Sequence, residues 1–128
     1  MNYTHLIDPE LKSIAKRVPY NKFLIKTANI YQMLAFALTG IPREISCKRI
    51  IIRENGRLPL KVAIYEPASA ADKLPCLLYI HGGAFSYKAS AHHKKLACIY
   101  ALEANCRVVF PDYHLLPEHP YPTAYQDV

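Results

Sequence analysis

Several common functional signatures are absent from this 128-residue sequence. Its four cysteines, Cys47, Cys76, Cys98 and Cys106, contain no Cys-x-x-Cys pair, and three sit within apolar runs. That pattern predicts buried free thiols in a reducing, cytoplasmic compartment rather than a disulfide or zinc framework. The six histidines include His92-His93 and His114 with His119, but no His-x-x-x-His or His-Glu-x-x-His pair. No metal site is therefore expected. The longest apolar stretch, Ile30 to Leu38, is far too short to span a bilayer and contains Gln32. Met1 to His5 lack the charged region and apolar run of a secretory leader. Stable membrane anchoring is not expected. All sixteen basic residues fall at or before Arg107, in blocks no longer than Lys16-Arg17, Lys48-Arg49 and Lys94-Lys95. Without an arginine-rich arm, zinc-finger spacing or RNA-recognition signature, the net charge of +6 reads as solvated faces, not a nucleic-acid surface. Finally, no Gly-x-Ser-x-Gly occurs, so the tight turn that exposes a nucleophilic serine is missing from these residues.

What is present reads as a packed chain. Hydrophobic residues make up 52% and aromatics 11%, a globular composition. The length allows one domain or part of one. Asp8 is placed to cap a helix, with Pro9 at its first position and Glu10 in its first turn. Leu11, Ile14, Ala15 and Val18 form its apolar face, and Pro19 ends it. Asn21 caps a second helix to about Leu38, apolar over a broad arc and closed by Gly40 and Pro42. From Arg43 the pattern turns to strands. A β-branched run to Arg53 meets Asn55-Gly56, a strong hairpin signal, and a strand returns from Leu58 to Tyr65. Pro75 to Ile80 is a continuous apolar run, as for a strand buried on both faces. Ser90 to Ala104 predicts a helix with Leu96, Ile99 and Tyr100 on one face, Arg107 to Phe110 another short buried strand, and Pro122 a further helix. The chain divides into helical residues 1–42 and an alternating strand and helix region, 43–128, an α/β pattern.

Two stretches carry chemistry. Leu77 to Ile80 runs directly into His81-Gly82-Gly83-Ala84-Phe85. A strand that turns sharply past a ligand needs residues without a Cβ, so that backbone N–H groups can face open space. Such donors stabilise the negative charge that develops on a carbonyl oxygen under attack, each by ~3 kcal/mol. A plain strand-to-helix turn uses the same glycine pair. Ser86 follows closely but lacks flanking glycines at elbow spacing, so it is not read as a nucleophile. The second stretch is Pro111-Asp112-Tyr113-His114-Leu115-Leu116-Pro117-Glu118-His119-Pro120-Tyr121-Pro122, whose prolines fix a loop path.

In this order and at this spacing, the two stretches resemble the hormone-sensitive-lipase-like branch of the α/β-hydrolases, the microbial esterase and lipase group. That family reads His-Gly-Gly-Gly at the first and roughly Asp-Tyr-Arg-Leu-Ala-Pro-Glu-His-Pro-Phe-Pro-Ala-Ala at the second. Here Ala84 replaces the third glycine, His114 the arginine and Leu116 an alanine.

The resemblance implies an α/β fold: the first half of an α/β-hydrolase core over 43–128, with a mixed, mostly parallel sheet opened by a hairpin. Residues 1–42 would be two helices of the cap over the substrate pocket. It implies cofactor-independent hydrolysis of small carboxylic esters by a serine, an acid and a histidine in that chain order. It places the oxyanion-hole N–H groups at Gly83 and Ala84, loop shape at His81 and Gly82, pocket walls at Phe85 and Tyr87, and bracing at Asp112, Tyr113 and Glu118. Without the serine elbow, the expectation is an N-terminal portion holding half of the oxyanion hole and inactive alone. The alternative is a non-catalytic ligand-binding module of the same fold, as in plant hormone receptors. In such a portion the strand before the turn keeps an open edge over Leu74 to Ile80, with Leu77 to Ile80 consecutively apolar, and self-association through it is expected.

Overall fold

A computed structural model describes residues 4–12, 21–70 and 73–128. Asp8 caps as expected, its carboxylate accepting from the Glu10 N–H at 2.9 Å. The turn that follows, Pro9–Leu11, is a short 3-10 helix with Leu11 exposed. Ile14, Ala15 and Val18 lie outside the described residues. Helix α1, Lys22–Leu38, begins where the Asn21 side chain accepts from the N–H groups of Phe23 and Leu24. It ends at Thr39, before Gly40 and Pro42.

Strands β1 (Ile45–Ile52) and β2 (Leu60–Pro67) pair antiparallel, from Ile45 opposite Pro67 to Ile52 opposite Leu60. Residues 53–59 join them, with Gly56 at φ +78, a conformation that favours glycine. The hairpin signal is therefore right, although the loop is longer than the two-residue turn. Strand β3 (Cys76–Leu78), helix α2 (Ala91–Glu103) and strand β4 (Arg107–Asp112) form a parallel crossover unit. The sheet order is β1-β2-β4-β3. Helix α3 (Thr123–Gln126) is a single turn.

The sheet is mixed, but in these strands it is not mostly parallel. β1 with β2 and β2 with β4 are antiparallel, and β3 with β4 alone is parallel. The reason is connectivity: the hairpin makes β1 and β2 antiparallel, β2 then meets β4 antiparallel across the sheet, and the stretch holds one helical crossover, which gives the single parallel contact.

The main core lies on one face of the sheet beneath α2, around Tyr65, Val108, Phe110, Ala97, Cys98, Ala101 and Cys106. Strand alternation turns Leu60 and Val62 to the other face, where they meet Tyr113 and Leu115. The expected α2 face is wrong. Its buried residues are Lys94, Ala97, Cys98 and Ala101, while Ile99 is 49% exposed. Small side chains let the helix approach the sheet closely, and the bulky ones turn outward. Lys94 is buried because its ammonium has a job. It donates to the carbonyls of Phe36 at 2.9 Å and Thr39 at 2.6 Å, closing the C-terminal end of α1, and sits 5.0 Å from the Phe36 ring centre.

A further expectation, burial on both faces, fails at β3. The strand is exposed rather than buried on both faces, with Leu78 at 49%. It pairs with β4 on one side, and no described strand lies on the other. The thiols follow suit: Cys98 and Cys106 are buried, Cys47 is half-buried, and Cys76 on β3 is exposed, all of them free.

Candidate functional site: the loop after strand β3

Strand β3 is continued by the Tyr79 N–H, which donates to the Val109 carbonyl at 2.9 Å. The chain then leaves the sheet at the carboxyl ends of two parallel strands, where open α/β sheets bind ligands. His81, at this exit, is 2% exposed. Its ring stacks on Tyr113, with centres 4.5 Å apart, and on Phe110 at 5.9 Å. Nδ1 lies 2.8 Å from the Gly82 carbonyl oxygen, which can only accept, so Nδ1 carries the proton. Nε2 is then the unprotonated nitrogen, buried and without a partner among the described residues. Burial holds the His81 pKa below its ordinary value, partly opposed by the Gly82 carbonyl. The imidazole is a neutral fixture of the loop.

Gly83 has φ +148, and a Cβ there would meet the Tyr87 carbonyl oxygen at 2.6 Å. Its own carbonyl accepts from the N–H groups of Ser86 and Tyr87, both at 2.9 Å, which closes the turn. Ala84 and Phe85 follow at φ 50 and 55, a left-handed conformation that costs a non-glycine residue about 1–2 kcal/mol. Among the described residues the N–H groups of Gly83 and Ala84 donate to no acceptor. Phe85 is exposed and Tyr87 half-buried.

The second stretch holds the first. Tyr113, buried and with its phenol pKa raised by burial, donates its hydroxyl to the His81 carbonyl at 2.7 Å. The Leu116 N–H donates to the Phe85 carbonyl at 2.7 Å. Asp112 pairs with Lys88 at 3.2 Å. Glu118 is exposed beside His119, at a polar cavity that Asp112 and Tyr113 also line. His114, in the place of the family arginine, meets Asp127: its N–H and Nδ1 lie 2.7 and 2.9 Å from the same carboxylate oxygen. His114 thus has a carboxylate partner in this chain.

Sequence reasoning missed Asn29. From α1 its amide NH2 donates to the Ser86 carbonyl at 2.9 Å, and its Oδ1 accepts from the Lys88 N–H at 2.8 Å. One side chain thus clamps the segment just past the glycines. No local signal could reveal this, since an asparagine inside an amphipathic helix looks like a solvated position. The described residues hold no group of three or more His, Cys, Asp or Glu side chains placed to bind a metal.

Residues 77–128 match a family described as having the alpha/beta hydrolase fold. The chain is 30% identical over 124 residues to carboxylesterase NlhH of Mycobacterium tuberculosis, covering 94% of this chain and 39% of that protein. It is 41% identical over 85 residues to 2-hydroxyisoflavanone dehydratase of Glycyrrhiza echinata, covering 65% of this chain and 26% of the relative. The chain belongs to the hormone-sensitive-lipase-like branch of the α/β-hydrolases. A solved esterase structure from Rhizomucor miehei shares the fold, with a TM-score of 0.69 at 22% identity, over 94% of this chain and 40% of that one. The chain thus spans well under half the length of the curated relatives it matches. Within it, the expected loop residues His81 to Phe85 and bracing residues Asp112 and Tyr113 come together, and Glu118, exposed, lines the same polar cavity as Asp112 and Tyr113.

Proposed function

We propose that this chain supplies the oxyanion-binding loop of a carboxylic-ester hydrolase. The N–H groups of Gly83 and Ala84 would be the donors from this loop, with His81 and Gly82 setting its shape. The observation that carries the reading is the pair of adjacent N–H groups without acceptors among the described residues, on a loop locked by Tyr113, Leu116 and Asn29. Donors fixed before the substrate arrives need no reorganisation in the transition state, which is the condition for lowering its energy. Phe85 and Tyr87 would flank the approaching ester, and Asp112 with Glu118 would brace the loop alongside. The serine, acid and histidine would come from sequence outside these residues, because no Gly-x-Ser-x-Gly lies within them. That same gap is what favours a non-catalytic ligand-binding role as the second reading. The open outer edge of β3 and its exposed Leu77 and Leu78 support self-association of the isolated chain through that edge.

The test is a fusion of this chain to the portion of carboxylesterase NlhH that follows its matched region, assayed on p-nitrophenyl butyrate. The isolated chain should show no turnover above background, and the folded fusion should hydrolyse the ester. A fusion that unfolds cooperatively yet stays inactive would refute the hydrolase reading and favour the binding module. Turnover by the isolated chain, abolished by Ser86→Ala, would overturn the assignment of the nucleophile to another segment.

A further inference from the structure

A cavity of about 510 Å³ lies beneath α1, between that helix and the sheet. Its size is within the range of small-molecule sites. Met33 and Phe36 of α1 form one wall, and Ile51, Ala63 and Phe110 of the sheet form the other. The register sets Arg49 opposite Ala63 and Lys61 opposite Ile51. Alternation along each strand then places these four side chains on one face. Arg49 and Lys61 both line the cavity and are exposed. Neither has a carboxylate partner among the described residues. The third cation at this cavity, Lys88, is already matched to Asp112. Asp112, paired with Lys88, also lies opposite Lys61 in the β2–β4 register, so three cations and one carboxylate line this cavity and its net charge is positive.

We propose that this cavity binds an amphipathic carboxylate, a medium-chain fatty acid. The alkyl chain would lie between Met33 and Phe36 above and Ile51 and Ala63 below, and burying it supplies the non-directional part of the affinity. The carboxylate would meet the Arg49 guanidinium, whose planar fork matches both oxygens, with Lys61 adding a second charge. A neutral molecule of the same length gains only the apolar part, so the site discriminates acid from alcohol. Gly83 and Ala84 do not line this cavity, and the inference stands apart from the ester-hydrolase reading.

The experiment titrates the 128-residue chain with decanoate, below its critical micelle concentration, and with 1-decanol, by calorimetry. Saturable binding of decanoate is expected. The double variant Arg49→Gln/Lys61→Gln should bind decanoate roughly tenfold or more weakly, the effect of losing a charge-assisted contact. Its affinity for decanol should not change. Ala63→Leu, which fills the cavity, should weaken both ligands, with circular dichroism and the urea midpoint confirming that each variant is folded. Absence of saturable decanoate binding would overturn the proposal, as would equal affinity in the double variant. If decanoate fails to bind while Ala63→Leu converts an assembly to monomers in sedimentation, the cavity is instead an interface between copies of the chain.

Discussion

The loop after β3 and the helix α1 both lie at the surface, but they are held by different means. The loop is fixed by short-range, directional contacts: a stacked and hydrogen-bonded His81, the Tyr113 hydroxyl, the Leu116 N–H and the turn closed on Gly83. Helix α1 buries Ile25 alone, and leaves Phe23, Tyr31, Leu34 and Leu38 more than half exposed. Its position rests on a few points: the Asn29 amide, the Lys94 ammonium at its C-terminal end and Phe36 against Phe110. The loop thus carries most of its support within the two motifs, with Asn29 of α1 added just past the glycines. The helix depends on single polar side chains reaching across, while most of its apolar surface remains uncovered.

That contrast can be broken most strongly at Gly83. Gly83→Ala should lower the unfolding free energy by about 2–3 kcal/mol, since the new Cβ would strike the Tyr87 carbonyl oxygen at a φ that disfavours any side chain. Gly82→Ala, with nothing within 4 Å of its Cβ position, should stay within about 0.5 kcal/mol of the parent. Urea unfolding of both variants checks this, and equal losses would mean the loop is not locked at Gly83.

The dependence of α1 on point contacts is sharpened by Asn29→Ala. Loss of two part-buried hydrogen bonds should cost about 1–2 kcal/mol, and amide exchange should rise at Lys88 in particular. Protection at Lys88 that survives the substitution would show that the helix does not clamp this segment.

At the edge of the sheet, Leu78→Lys should leave the urea midpoint almost unchanged, because Leu78 is half exposed, yet it should shift sedimentation toward monomer. Self-association unaffected by the new charge would place the contact elsewhere.

The smallest effect expected is on pH dependence. Burial is the main cause depressing the pKa of both His81 and His93 below 6.5. The unfolded chain then binds more protons than the folded one below that pH, so stability rises with pH. The contribution is fully present above about pH 7 and is lost as the pH falls through 6.5 toward the folded values. Urea midpoints between pH 5 and 8 should show this slope, flatter in His81→Gln, where the aromatic and loop contacts change but the titration is gone.

The sequence by itself determined the element order, the caps at Asp8 and Asn21, the hairpin at Asn55-Gly56 and the two stretches that meet around His81. Each depends on local chemistry: a side chain near the N–H groups it caps, a glycine at positive φ, an apolar run ending at a turn. Only the tertiary structure decided which apolar residues are buried. The apolar run of Pro75 to Ile80 reads as a strand buried on both faces, yet Leu77 and Leu78 are exposed, because burial depends on covering layers that periodicity cannot show. Ile99 reads as a core position on α2, yet Ala97 and Ala101 hold the buried face, because the helix lies close to the sheet. Asn29 and Lys94 read as solvated, and their roles exist only because the carbonyls they reach lie more than fifty residues away along the chain. Pairing across such distances is set by how the layers stack, and no local pattern records it.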